Sequence, residues 1–431
     1  MKKYILSKEY ITLLPFLVAY VLIVIFKQQN ILVGDEGRFW SYAAKLLKGY
    51  YADNEFGEYS YLWNGPGYPI VLMPFRYLET SLLYPKLMNA FFLYSGLIFF
   101  FRSLKHFISR KKSLLVTCVL GLYYPLLLMA LPTLMTEALS FLCCTAFICF
   151  YLSYHRYRKT WQLLLCAFFL GYLAITKVIF GYVIVTVLVI LLILYLFSKA
   201  KKTLVASIKI LICSLVICSP YLIYTYSLTD KFFYWGNSGG MNLYWMSSPY
   251  DGELGDWYFF ENLEESQPEV YENHKEYLAS IEDLDPVEKD AALKQKGVEN
   301  ILDHKEKFVR NWISNVSRIF IELPYSYRVQ SNNQLFYLFP NGILIVFLCM
   351  AIFLSVCNYK LLPTRVVFLL LIAIVYLGGV SLLSAYVRFL YPILPLLLIW
   401  ICYTFENYIK ISRSDEGTLM IVIKKSNFLS K

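Results

Sequence analysis

Residues 178–197 read VIFGYVIVTVLVILLILYLF, twenty consecutive positions without one Asp, Glu, Lys or Arg. A bilayer core is crossed by about 20 mostly apolar helical residues, so this stretch alone reads as a membrane span. Lys199, Lys201 and Lys202 follow it directly, a basic flank of the kind that collects on the cytoplasmic side. The whole chain is similar in kind: of 431 residues, 58% are hydrophobic, 18% aromatic and 16% charged. Soluble domains carry about 45–50% apolar and roughly 25% charged residues. A mean hydropathy of +0.53 also excludes a long disordered chain. All ten cysteines fall inside apolar runs, which excludes a disulfide-stapled ectodomain.

Working outward, ten runs are candidate spans: Tyr10–Phe26, Tyr84–Phe101, Leu114–Leu131, Glu137–Tyr154, Trp161–Ile175, Val178–Phe197, Leu204–Tyr224, Leu335–Val356, Val366–Leu383 and Val387–Tyr403. The expected fold is an all-α polytopic membrane protein with about ten transmembrane helices and both termini inside. Tyr68–Tyr77 is apolar but too short to cross, and Pro69 and Pro74 interrupt it; it reads as a helix lying at the interface. The first run follows Lys2, Lys3 and Lys8 as a signal peptide would. No small-residue cleavage site follows, so it is expected to stay as an anchor.

With the N-terminus inside, the inner segments hold 21 basic residues against four acids, Glu9, Glu406, Asp415 and Glu416. The outer segments 27–86 and 227–334 hold 25 of the 30 acids. The net charge of +10 is therefore a topology signal that favours anionic inner-leaflet lipid, and no nucleic-acid partner is called for. The expected organisation is a membrane module over 1–226 with a first outer loop at 27–83, a large outer loop at 227–334, helices over 335–405 and a tail at 406–431.

Four charges stand apart from that partition: Glu137, Lys177, Lys209 and Arg388. Lys209 lies near an inner end and can snorkel. The other three fall at the outer ends of three different spans. Ionisable groups at membrane depth mark substrate paths or ion pairs; a structural salt bridge of Glu137 with Lys177 or Arg388 is the plain alternative.

The first outer loop opens GDEGRFWSYAAKLL (34–47), a short helix by its apolar spacing, with Asp35 and Glu36 at its N-terminus. A helix dipole favours carboxylates there, so capping alone would explain them. Tyr59, Tyr61 and Trp63 lead into Asn64-Gly65-Pro66-Gly67-Tyr68-Pro69, a rigid turn against the membrane. These aromatics suit either the interfacial belt or the face of a sugar ring. In the second outer segment, residues 231–245 are aromatic and glycine-rich and read as a binding loop that includes Asn242. A charged helical stretch follows, broken at Asp285-Pro286, and then Phe308, Trp312, Val316, Ile319 and Phe320 line one helical face. The sequon at Asn315 matters only in a secretory-pathway host. No His/Cys metal spacing, phosphate loop or nucleophile-elbow serine is present, so ATP-driven transport has no engine here. No internal repeat supports a transporter of inverted halves.

The chain resembles the polytopic glycosyltransferases that use polyprenyl-phosphate sugars, the GT-C superfamily. That group contains protein O-mannosyltransferases and the aminoarabinose and galacturonic acid transferases of bacterial envelopes. The resemblance rests on GDEGRFWSYAAKLL, on GPGYPIVLMPF (65–75), LPTLMTEAL (131–139) and ITKVIFGY (175–182), then on residues 219–245 and RFLYPILPLL (388–397). The motifs come in the family's order and cover most of residues 1–400.

It implies a membrane-embedded fold with its site on the extracytoplasmic side and a polyprenyl-phosphate sugar as donor; few cysteines outside and no targeting sequence point to a bacterial plasma membrane, with an endoplasmic reticulum membrane as the alternative. The acceptor would be a lipid, glycan or protein. By the same resemblance Asp35 matches the family's general base, Glu137 its second acid, and Lys177 and Arg388 its basic positions, while Asn64, Tyr68 and Asn242 fall in its substrate-binding motifs. Two departures stand out. Asn64 or Gly65 replaces a lysine that in some members contacts the lipid phosphate, and Tyr221-Leu222-Ile223-Tyr224-Thr225 replaces Trp-x-x-Arg-Asn. Phosphate binding would then fall on Lys177 and Arg388.

The residue types permit this chemistry independently. An acceptor hydroxyl needs a base, which Asp35 or Glu36 can supply, and the departing phosphate needs cations. The two acids diverge by about 100° on a helix, so one of them faces the sugar, and Asp35 is preferred. Glu137 would orient the acceptor or hold a divalent cation, the one cofactor left open. A single displacement would invert the anomeric centre. Two other readings compete, an O-antigen polymerase or ligase and a lipid or solute transporter. The first favours Arg- and His-bearing late loops, and the second would put charge near the bilayer midplane.

Overall fold

The computed structural model describes residues 8–51, 62–197, 201–323, 335–413 and 419–423. Tyr59, Tyr61, Lys2, Lys3, Lys199, Asp415, Glu416, Lys424, Lys425 and Lys431 lie outside them. The N-terminal helices are α1 (Lys8–Lys27), α2 (Asp35–Leu47), α3 (Gly67–Tyr77), α4 (Leu83–Leu104), α5 (Arg110–Gly121), α6 (Tyr124–Ala130), α7 (Glu137–Tyr157), α8 (Thr160–Thr176), α9 (Ile179–Phe197) and α10 (Lys201–Thr229). The segment between α10 and the last long helices folds into α11 (Gly239–Met246), α12 (Leu263–Ser266), α13 (Pro268–Ser280), α14 (Pro286–Asp303) and α15 (Lys305–Ile321). Three helices close the chain: α16 (Leu335–Cys357), α17 (Thr364–Ser381) and α18 (Leu394–Tyr408). A small antiparallel hairpin follows, β1 (Ile409–Arg413) with β2 (Leu419–Ile423), Ile409 opposite Ile423; the all-α expectation had left this segment as a plain tail.

Among the described residues, seven helices are long and apolar enough to cross a membrane: α1 from Tyr10, α4, α7, α9, α10, α16 and α17. The expected third span is instead a pair, α5 and α6, bent by 50°. Pro125 in the first turn of α6 explains the break: proline donates no N–H and its ring clashes with the carbonyl four residues back. The fifth run is α8, an apolar helix of 17 residues. The tenth is interrupted as well. A 3-10 turn at Val387–Leu390 precedes the 15-residue α18, which starts only after Pro392 and carries Pro395 in its first turn. Arg388 therefore stands on a turn rather than on a regular span.

Helix α7 is the hub. Of its apolar stretch 72% is buried against other helices, compared with 17% for α1, so Glu137 at its N-terminus is carried into the bundle. The α11–α15 segment has a second core around Trp245, Tyr244, Met241, Leu263 and Leu293, which also takes in Trp63 from the first loop. Asp285 caps α14 through the amides of Val287 and Glu288, the break expected at Asp285-Pro286. Two contacts tie the first loop to the stretch before α11: Leu62 N–H donates to Asn237 Oδ1 at 3.0 Å, and Asn237 N–H donates to the Leu62 carbonyl at 3.3 Å. Trp235 is fully buried, and its ring would meet a Cβ at Gly181 at 2.3 Å, so this aromatic stretch packs the loop onto α9.

Helix α15 is amphipathic, but it turns a polar stripe inward. Asn311, Asn315 and Arg318 are buried, while Val309, Trp312 and Ile313 are exposed. Asn315 donates to the carbonyls of Ser381 (2.8 Å) and Leu383 (2.6 Å) and accepts from Ala385 N–H at 2.9 Å. Arg318 donates to the carbonyls of Leu254 and Gly255. An amide so engaged at zero exposure is no glycosylation acceptor in the folded chain.

Candidate active site

The site is built on the start of α2. Gly34 has φ of +57°, a conformation a side chain disfavours, and it turns the chain so that Asp35 opens the helix. The helix then buries Phe39, Tyr42 and Ala43, with the Phe39 ring set edge-on to Tyr68 of α3 at 5.5 Å. This packing fixes which way the two adjacent acids point.

Glu36 is buried. It accepts from the Leu134 amide and lies 3.8 Å from Lys86 Nζ, and Lys86 donates to the Gln29 carbonyl at 2.7 Å. Burial raises the Glu36 carboxyl above its ordinary value against the pull of Lys86. Asp35 points elsewhere, into a group of cations. It pairs with Arg38 one turn along, and its Oδ2 accepts from Arg388 Nη1 at 3.1 Å. Burial alone would push the Asp35 carboxyl up. Arg388, Arg38 and Lys177 outweigh that and hold it below the usual carboxylate range, because an opposite charge at ion-pair distance favours the ionised form.

Lys177 follows the last residue of α8 in extended backbone, and its Nζ lies 3.1 Å from Glu137 Oε1. Of the pairings left open by the sequence, Glu137 thus takes Lys177, while its charge also acts on Arg388. The Phe389 ring stands between the two basic residues, 5.8 Å from Lys177 Nζ and 5.8 Å from the Arg388 guanidinium. Arg38 lies over the Trp63 ring at 4.4 Å. Three cations against two carboxylates leave one positive charge in excess. Glu137 Oε2 and Arg38 Nε are buried with no hydrogen-bond partner among the described residues, so the cluster keeps polar valences of both signs.

The proline turn positions this cluster without joining it. A Cβ at Gly65 would lie 2.1 Å from the Ile175 carbonyl oxygen, and one at Gly67 would lie 2.3 Å from Thr176 Oγ1. The two glycines let the turn touch α8 at the residues just before Lys177, and Tyr172 Oη donates to the Gly67 carbonyl at 2.8 Å. Asn64 gives its carbonyl to Tyr51 Oη at 2.5 Å, and its own buried Oδ1 has no protein partner. Tyr68 is buried and donates to Asn89, which in turn donates to the Thr133 carbonyl. Asn242 spends its side-chain amide on the Ser238 carbonyl, while its backbone oxygen accepts from Ser384.

Sequence reading overlooked several parts of this arrangement. Arg38 was legible as the i+3 partner of Asp35. Lys86 looked like a flank residue, and nothing in the sequence marks it as the cation beside Glu36. The segment carrying Arg388 is clamped from the α11–α15 segment: Asn315 holds residues 381–385, and Tyr386 Oη donates to Asp256 Oδ1 at 2.9 Å. Only the tertiary structure reveals that clamp. A divalent cation at Glu137 does not fit these residues. Among the described residues no three His, Cys, Asp or Glu side chains come together, and Glu137 Oε1 is already given to Lys177, whose positive charge opposes a cation there.

No family model matches the chain, and no curated protein matches it. Among solved structures, ArnT from Cupriavidus metallidurans bound to undecaprenyl phosphate aligns with 93% of this chain and 78% of its own, at 12% identity and a TM-score of 0.42. That is a likeness in helical outline.

Proposed function

We propose that this chain is a membrane glycosyltransferase that moves a sugar from a polyprenyl-phosphate donor to an acceptor hydroxyl on the extracytoplasmic face. The reading rests on one observation. Asp35 sits between Arg38 and Arg388, next to the Glu137–Lys177 pair, so residues from four distant parts of the sequence form one cluster with a net positive charge.

The acceptor oxygen attacks the anomeric carbon, the bond from that carbon to the phosphate oxygen breaks, and the electron pair leaves on the phosphate. Asp35 takes the hydroxyl proton. Arg388 and Lys177, with Arg38 beside them, hold the developing phosphate charge. The Asp35–Arg388 pair links the two tasks. As Arg388 turns its charge to the donor phosphate, Asp35 loses the partner that depresses its pKa and becomes a stronger base where one is needed. Glu36, occupied with Leu134 and Lys86, serves to anchor α2. One displacement inverts the anomeric centre.

The test is reconstitution of the full chain with a panel of polyprenyl-phosphate sugars and envelope extract as acceptor, following released polyprenyl phosphate. Wild type should release it with one donor, and Asp35→Asn should fall by about 10²–10⁴-fold. Equal release by both proteins would remove Asp35 as base. A product that keeps the donor's anomeric configuration would exclude direct displacement.

A further inference from the structure

At the other end of α7 the chain builds a second cationic site. A cavity of about 360 Å³ is lined by Tyr154 and Arg158 from the end of α7 and by Lys201, Lys202, Val205, Ala206 and Lys209 from α10. It lies some 21 residues along α7 from Glu137, about 30 Å at 1.5 Å per residue, and is thus separate from the Asp35 cluster. Four cations face it. No described carboxylate lies within ion-pair distance of any of them, whereas Lys112, on another basic flank, pairs with Glu406 at 2.6 Å.

The local backbone gathers these groups. Arg158 adopts φ of +56°, closing α7 in a left-handed turn, and its guanidinium folds back over the Tyr154 ring at 5.5 Å. On α10, positions 201, 205 and 209 recur at helical spacing and so share a face. One turn further in, Tyr151 Oη and Ser207 Oγ, 3.2 Å apart, tie α7 to α10 and hold the cavity walls together. Lys209 is eight residues into an apolar helix, about 12 Å from its start. Its side chain is exposed, so the ammonium meets either the surface by snorkelling or an anion held in the cavity.

We infer that this cavity binds a phosphate-bearing anion, its charge met by Lys201, Lys202, Lys209 and Arg158 and its apolar part by Tyr154, Val205 and Ala206. An anionic lipid headgroup and a soluble phosphate share this chemistry. A general basic flank attracts anionic lipid through net charge alone, whereas a built site binds one ligand and depends on which lysines are removed.

The experiment is native mass spectrometry of the full chain in detergent, titrated in parallel with phosphatidylglycerol, phosphatidylcholine and inorganic phosphate. Lys201→Gln/Lys209→Gln is compared with the charge-matched Arg156→Gln/Lys159→Gln on the same flank, and thermal unfolding midpoints establish that both fold. One phosphatidylglycerol per chain is expected, weakened at least tenfold by the cavity variant and less than threefold by the flank variant. Binding of inorganic phosphate alone, lost in the cavity variant, would keep the anion site and assign it a soluble ligand. Equal loss in both variants, or phosphatidylcholine binding as tightly as phosphatidylglycerol, would overturn the inference.

Discussion

The Glu137–Lys177 pair allows a prediction that separates structure from chemistry. Its atoms are 3.1 Å apart, with side-chain exposures of 1% for Glu137 and 12% for Lys177. At an effective dielectric of about 20 their attraction is about 5 kcal/mol, and desolvating each ion costs several kcal/mol in return. The net worth of the pair is therefore close to that of a neutral pair of similar volume, but removing one partner strands a buried charge and costs about 3–5 kcal/mol. Glu137→Gln and Lys177→Met should each destabilise by that amount, and Glu137→Gln/Lys177→Met should recover to within about 1–2 kcal/mol of wild type. With an unfolding entropy of about 2.1 cal/mol/K per residue, each single loss is roughly 3–6 °C in Tm. The buried free thiols Cys143, Cys144, Cys166 and Cys218 give the readout once the accessible ones, Cys349 and Cys357 first, have been blocked in the folded protein: a thiol-reactive fluorophore then labels the buried set only as the bundle opens. Donor turnover should stay abolished in the double variant, because Lys177 is gone although stability has returned. Single variants that melt within 1 °C of wild type, or a double variant that falls by the sum of the singles, would refute the buried-pair argument.

Three further outcomes follow from the same geometry. Glu36→Gln should keep transfer within about tenfold of wild type, because its carboxylate faces Lys86 and Leu134, while Asp35→Asn should not; parallel turnover assays check this. The Asp35 carboxyl is depressed in the folded protein, so its stabilising contribution is present above the unfolded value of about 3.9 and lost as pH falls through the lower folded value. In activity, kcat/KM should accordingly stay flat down to about pH 4, and the acid limb of kcat should lie at higher pH once donor phosphate engages Arg388; pH profiles of both constants decide, and coincident limbs would contradict the exchange of partners. Gly67→Ala forces a methyl against Thr176 and should cost about 1–3 kcal/mol by overpacking, with donor affinity reduced through displacement of Lys177; a thermal midpoint read beside donor KM checks both, and an unchanged KM would deny the turn its positioning role.

The sequence by itself determined that this is a helical membrane chain, because twenty mostly apolar residues in a row have one low-energy arrangement in a bilayer. It also determined the helix after Gly34, and it singled out Glu137, Lys177 and Arg388, since charges at span ends stand out against an apolar background; Asp35 was marked only by its place at the start of that helix and by the family resemblance. It could not determine partners. Whether Glu137 meets Lys177 or Arg388 depends on the rotation of α7, α8 and the Val387–Leu390 turn about one another, which many weak packing contacts set jointly. The break between α5 and α6, and the short start of α18, arise where prolines meet that packing. The division of labour between Asp35 and Glu36 was decided in the same way. Adjacent residues on a helix diverge by about 100°, and only the burial of Phe39 against Tyr68 turned one acid toward Lys86 and the other toward Arg388.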